Sequence, residues 1–167
     1  LSLAQTRDIE NQRELFQSVF STVELGDWSV VENLGGSDRE ALQRYVLWPD
    51  LRAAYLRANI RQGDGREIEA FLDQYGTLKP ARDLRYRYAL EQVRRGDLPA
   101  YFTIYQSYYQ GLDVAKLDCL ALQAEIEAGR SQQVVRRARD LWLVGKSQVE
   151  ECDPVFAFLK EHNALSP

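Results

Sequence analysis

Three Gly-Asp steps, Gly26-Asp27, Gly63-Asp64 and Gly96-Asp97, divide this chain at intervals of 37 and 33 residues, and a looser fourth, Gly129-Arg130-Ser131, follows 33 residues later. Glycine suits the left-handed position just past a helix end, because it has no Cβ to clash there. Aspartate or serine next to it can cap a new helix, its side-chain oxygen accepting a free backbone N–H. Each step therefore reads as a helix stop followed almost at once by a helix start, the signature of a tight αα-hairpin.

The segments between the steps have helical spacing. Phe16, Val19, Phe20 and Val23 fall at i, i+3, i+4 and i+7, as do Leu51, Ala54, Tyr55 and Ala58, and Leu117, Leu120, Ala121 and Ala124. Val134, Ala138 and Leu141 repeat the pattern with one member missing. Period-2 alternation of β-branched residues is absent, so no strand is expected. Pro49, Pro80, Pro99 and Pro154 each sit where a first helical turn would begin, a place where the missing N–H of proline costs nothing. These signals predict helices over 4–25, 27–34, 38–47, 50–62, 65–75, 80–95, 98–109, 113–128, 131–144 and 153–162. The helix over 80–95 carries two stripes, Tyr86, Ala89, Leu90 and Val93 on one side and Ala81, Leu84 and Tyr88 on another, as expected of a helix with two neighbours.

A helix-turn-helix unit recurring every 33 to 37 residues has the size of a tetratricopeptide-type repeat. The full residue pattern of that repeat is missing, so the inference is architectural. The expected fold is all-α, a right-handed superhelix or arc of stacked antiparallel helix pairs, each pair leaning on its neighbours to bury its apolar face. The 167 residues are enough for one such domain, spanning 1–167, with a sizeable core. The chain contains no methionine, and Leu1 is expected to begin a processed or trimmed product.

Charge narrows the partners. The net charge of −4 argues against nucleic acid, which calls for an excess of Lys and Arg. Residues 1–40 carry −5, residues 41–100 carry +3 and residues 101–167 carry −2, so a basic belt lies between acidic ends. That belt includes Arg82, Arg85, Arg87, Arg94 and Arg95, with a second group at Arg136, Arg137 and Arg139. It reads as an anion-binding surface or as a solvated face whose arginine stems cover apolar surface. No run of 18 apolar residues occurs, so no membrane span is expected.

Catalytic patterns are scarce. Gly35-Gly36 lacks the Lys-Ser/Thr of a phosphate loop. His162 is the single histidine, which excludes a histidine-built metal site, and no cofactor is expected. A Cys–His pair with Cys119 or Cys152 would lack an orienting third group. Glu150-Glu151 diverge in space as sequence neighbours and read as a solvated capping turn. Cys119 and Cys152 fit either two buried thiols of a reducing compartment or a disulfide of an exported protein. The aromatic cluster Tyr101, Phe102, Tyr105, Tyr108 and Tyr109 puts Tyr101, Tyr105 and Tyr108 on one helical face. These rings are candidates to stack on sugars, or else to fill space between helices with their hydroxyls at the rim.

The run 141–156, Leu-Trp-Leu-Val-Gly-Lys-Ser-Gln-Val-Glu-Glu-Cys-Asp-Pro-Val-Phe, resembles the soluble lytic murein transglycosylases of Gram-negative bacteria, in their N-terminal α-superhelical (U) domain. Leu-Trp-Leu-x-Gly-Lys-Ser-Gln followed by Cys-Asp is the specific element. Cys119 matches an earlier family cysteine, and looser similarity covers Pro80-Ala81-Arg82 and the opening helix. The resemblance implies a periplasmic protein whose family cleaves the β-1,4 bond between N-acetylmuramic acid and N-acetylglucosamine and leaves a 1,6-anhydro sugar. It also implies a lysozyme-like catalytic domain resting on a ring of helices. That chemistry rests on a Glu-Ser motif and a Gly-Leu-Met-Gln-type segment, and this chain contains neither. The resemblance thus implies a non-catalytic scaffold. Its partners would be the catalytic domain of the same parent protein and peptidoglycan glycan strands, with Tyr101, Tyr105, Tyr108, Arg82 and Arg85 as glycan or interface contacts. The periplasmic setting further implies a Cys119–Cys152 disulfide that pins the last helix to the final repeat. The alternative function is a free-standing helical-repeat adaptor that binds a protein or peptide in a concave face.

Overall fold

A computed structural model describes residues 1–143 and 149–162 of the chain. Every regular element among them is helical: α1 (Leu3–Val23), α2 (Ser29–Glu32), α3 (Gly36–Gln43), α4 (Trp48–Ala58), α5 (Arg66–Tyr75), α6 (Lys79–Arg94), α7 (Leu98–Tyr108), α8 (Ala115–Glu127), α9 (Ser131–Leu143), a 3-10 turn (Glu150–Cys152) and α10 (Asp153–Glu161). The all-α expectation holds. Residues 144–148 of the Leu-Trp-Leu-x-Gly-Lys-Ser-Gln run lie outside the described residues.

The glycine punctuation works as expected. Gly26, Gly63, Gly96 and Gly129 all have φ between 72° and 100°. At Gly26, Gly96 and Gly129 the helix ends on two reverse hydrogen bonds. The glycine N–H donates to the carbonyl three residues back, and the next N–H to the carbonyl five back, as in Gly96 to Val93 and Asp97 to Gln92. The aspartates divide into two kinds. Asp97 is a true N-cap, its Oδ1 accepting from Ala100 N–H at 3.0 Å. Asp27 and Asp64 instead hold the N–H two residues on, of Ser29 at 2.9 Å and Arg66 at 3.1 Å, and an extra residue (Trp28, Gly65) intervenes before the helix. The prolines occupy the second helical residue, still inside the first turn where no N–H is needed.

The chain divides into two compact units, Leu1–Tyr88 and Ala89–Pro167, with the boundary inside α6 rather than at a linker. In the first unit, Val19 and Val23 of α1 meet Val31, Leu42 and Leu51 of the next three helices in one buried cluster. The amide of Asn59, just past α4, donates to Gly26 O at 3.1 Å and Tyr55 O at 3.0 Å, which ties the first Gly-Asp turn to the end of α4. In the second unit, Ala89, Tyr101, Tyr105, Leu117, Leu120 and Ala121 form one cluster, and Cys119, Leu122, Val134, Ala138, Val155, Phe156 and Leu159 belong to another. On α6, Ala81, Leu84, Tyr88 and Ala89 are buried as the two stripes predicted, but Tyr86 is 38% exposed.

Candidate functional site

The described residues of the resemblance motif form a clasp with α8 in the second unit. Cys119 of α8 and Cys152 of the 3-10 turn form a disulfide with Cα atoms 5.0 Å apart, both residues fully buried. Gln123 Nε2 donates to Glu151 O at 2.6 Å, and Lys116 Nζ lies 3.1 Å from Glu151 Oε1, so three side chains of α8 hold the turn. Glu151 is therefore an anchored group rather than the solvated one expected, its carboxyl held below the usual range by its own backbone N–H and by Lys116. Trp142 of α9 meets Phe156 of α10 edge to face with ring centres 4.9 Å apart. His162 sits against Phe158 with ring centres 4.1 Å apart, and both cysteines are bonded to each other, so no Cys–His couple forms.

Beside this clasp lies an open groove of about 450 Å3, lined by Tyr105, Gln110, Asp113, Asp118, Arg137, Asp140 and Leu141 among others. Tyr105 reaches it with its hydroxyl, which donates to Asp118 Oδ1 at 2.7 Å. Burial, reinforced by Asp118, raises the Tyr105 pKa, so the phenol stays a protonated donor. Arg137 Nη1 lies 2.9 Å from Oε2 of the buried Glu125, which compensates the Arg137 charge locally. The groove thus presents hydrogen-bonding groups suited to hydroxyl and amide partners.

The structure separates the three tyrosines of the α7 stripe. Because α8 lies against α7, Tyr101 is fully buried and its hydroxyl donates to Leu117 O at 2.7 Å. Tyr105 has its ring inside the same cluster. Tyr108, near the end of α7, is 53% exposed. Sugar stacking is therefore closed to Tyr101, and Tyr105 offers its hydroxyl rather than a ring face. The basic belt divides likewise. Arg85 is buried and caps the end of α5, Nη2 donating to Gly76 O at 2.9 Å, which corrects its reading as a surface contact. Arg94 and Arg95 close on the buried Glu91 at 2.6 and 3.1 Å. Arg82 remains exposed. Asp118, Gln110 and Asp140 escaped the sequence reading. Asp118 gains its role from a hydrogen bond between α7 and α8, and no spacing along one helix encodes that.

Comparison with known proteins extends the resemblance to the whole chain. It is 25% identical over 166 residues to the soluble lytic murein transglycosylases of Escherichia coli strain K12 and of Escherichia coli O157:H7, covering 99% of this chain and 25% of each relative. It is 26% identical over 165 residues to that of Salmonella typhimurium strain LT2, covering 99% of this chain and 24% of the relative. The chain spans about a quarter of the length of these curated relatives. No protein-family model and no solved structure matches it.

Proposed function

We propose that this chain, related along 99% of its length to the soluble lytic murein transglycosylases, is a non-catalytic helical part of a peptidoglycan lytic transglycosylase. It acts in the periplasm, where it positions the catalytic domain and confines glycan strands. The observation that supports this most strongly is the coincidence of two facts. The similarity covers essentially the whole chain, and Cys152 of the 141–156 run is bonded to Cys119 at the centre of the clasp. A disulfide suits an oxidising compartment such as the periplasm. The Glu-Ser pair on which the resembled family's chemistry rests does not occur in these 167 residues, which supports placing that chemistry in another part of the parent protein.

Two measurements test the proposal. The reading frame that contains this chain should continue past Pro167 into a segment with a Glu-Ser motif. The 167-residue chain should release no anhydro-muropeptides from purified peptidoglycan, whereas the longer product should. A frame that stops near Pro167 would favour the adaptor reading, and lysis by the 167 residues alone would overturn the scaffold.

A further inference from the structure

The first unit carries an aromatic and polar surface that no motif marked. Trp28 stands edge to face with Trp48, ring centres 5.5 Å apart, and lies 5.3 Å from Tyr55. The Arg52 guanidinium carbon sits 4.5 Å from the Trp28 ring centre and 5.3 Å from that of Tyr55. Two rings therefore orient one cation. Its anionic contact is Glu67 Oε2 at 3.4 Å, a long contact from a side chain that is 70% exposed while Arg52 itself is 24% exposed. The cation is half-buried against the two rings, and its carboxylate partner faces solvent.

Two recesses share the Glu67 of this pair. One, of about 210 Å3, is lined by Tyr55, Gln62 and Glu67, among others. The second, of about 240 Å3, is lined by Trp48, Arg52, Glu67 and Gln74, among others. Glu67 borders both. Each recess is smaller than the roughly 300–1,000 Å3 of a drug-sized pocket, a size for single rings. Aromatic faces next to planar guanidinium, carboxamide and carboxylate groups make a particular chemical pairing. Sugar rings present flat C–H faces to aromatic rings and direct hydroxyl and acetamido groups at planar donors and acceptors.

We propose that the α4–α5 face of the first unit is an oligosaccharide-binding site, with the two recesses as adjacent sugar subsites, Glu67 shared between them and Arg52 in the second. Trp48 and Tyr55 supply the ring faces, while Arg52, Glu67 and Gln74 take the polar substituents. The inference rests on the proposed function only for the choice of peptidoglycan sugars.

The chain has three tryptophans, so Trp142→Phe leaves Trp28 and Trp48 as the only indole emitters, both at the site. This variant is titrated with N-acetylchitotetraose, which is neutral, and separately with a disaccharide-peptide released from peptidoglycan, which bears carboxylates. A saturable emission change with a dissociation constant on the order of 1 mM or tighter is expected. Arg52→Lys keeps the charge but loses the planar fork, and Gln74→Ala loses one carboxamide. Each should weaken binding about three- to tenfold with an unchanged circular dichroism spectrum, whereas the exposed Gln132→Ala should change nothing. Preference for the carboxylate-bearing probe would place the acidic group on Arg52, and equal binding would place sugar hydroxyls there. No response to either saccharide at tens of millimolar, saturation by tetraglutamate alone, or indifference to both Arg52→Lys and Gln74→Ala would each overturn the proposal. A flat titration in a frame that does continue into a Glu-Ser segment would remove the site alone. Saccharide binding in a frame that stops near Pro167 would remove the parent enzyme alone.

Discussion

Breaking the Cys119–Cys152 bond while leaving every other atom in place isolates what the clasp contributes. The two cysteines are 33 residues apart in sequence, and the loop they close contains all of α9. In the chain-entropy treatment, closing a loop of this length removes about 3–4 kcal/mol of unfolded-state freedom. The effect should concentrate in the second unit, because both sulfurs sit in the cluster that also buries Val155, Phe156 and Leu159 of α10. Trp142 reports on that region through its contact with Phe156, so a Trp28→Phe, Trp48→Phe background confines emission to the relevant unit. Urea unfolding is then followed with and without a phosphine reductant, after full denaturation and refolding in each buffer. For a unit of this size a denaturant slope of about 1.5 kcal/mol per molar is reasonable, which places the reduced midpoint about 2–2.7 M below the oxidised one. Thiol titration of the denatured protein accompanies each curve, with zero free thiols expected without reductant and two with it. Coincident midpoints under those thiol counts would refute the argument that the bridge stabilises the clasp, and two thiols in the unreduced sample would refute the bridge.

Three further perturbations address the ion pairs, turns and caps. Glu91 is buried with Arg94 and Arg95, chiefly the Arg94 hydrogen bond, holding its carboxyl at about 2 rather than the ordinary 4.5. Its stabilising effect is complete above about pH 4.5 and is lost as pH falls toward 2, so acid unfolding of Glu91→Gln should be flatter than wild type over that window, as read by circular dichroism against pH. Gly63 and Gly65 both have positive φ, but a Cβ meets open space at Gly63 and collides with the Tyr88 hydroxyl at Gly65. Gly65→Ala should therefore cost clearly more than the roughly 1 kcal/mol expected of Gly63→Ala in thermal melts, with equal losses counting against the close approach. Asp97→Ala should cost about 1 kcal/mol through the lost cap while Asp97→Asn should be nearly neutral, as measured by urea midpoints.

The sequence by itself determined the helices, because their signals are local. Glycine at positive φ, an aspartate oxygen within reach of a neighbouring N–H, and apolar residues at helical spacing each act within a few residues of chain. For this reason the predicted and observed helices agree to within a few residues over most of their length, and the exceptions have local causes. The Asp27 and Asp64 turns hold the N–H two residues on, so α2 begins later than the Gly-Asp step suggested. The cysteine pairing was legible only through family resemblance, since spacing left a reduced pair equally open.

What each side chain does was decided by tertiary structure. Tyr101, Tyr105 and Tyr108 are equivalent on a helical wheel, yet α8 covers the first two and leaves the third exposed. Arg82 and Arg85 are three residues apart in the same helix, yet Gly76 O captures one and solvent surrounds the other. Trp28, Trp48, Arg52, Tyr55 and Glu67 come from two helices, α4 and α5, and the turn before a third, α2, and nothing in the chain marks them as a group. Periodicity reports which face of a helix is apolar. Which neighbour covers that face, and where the cover ends, depends on contacts between residues far apart in sequence, and in this protein those contacts separate buried tyrosines and arginines from exposed ones.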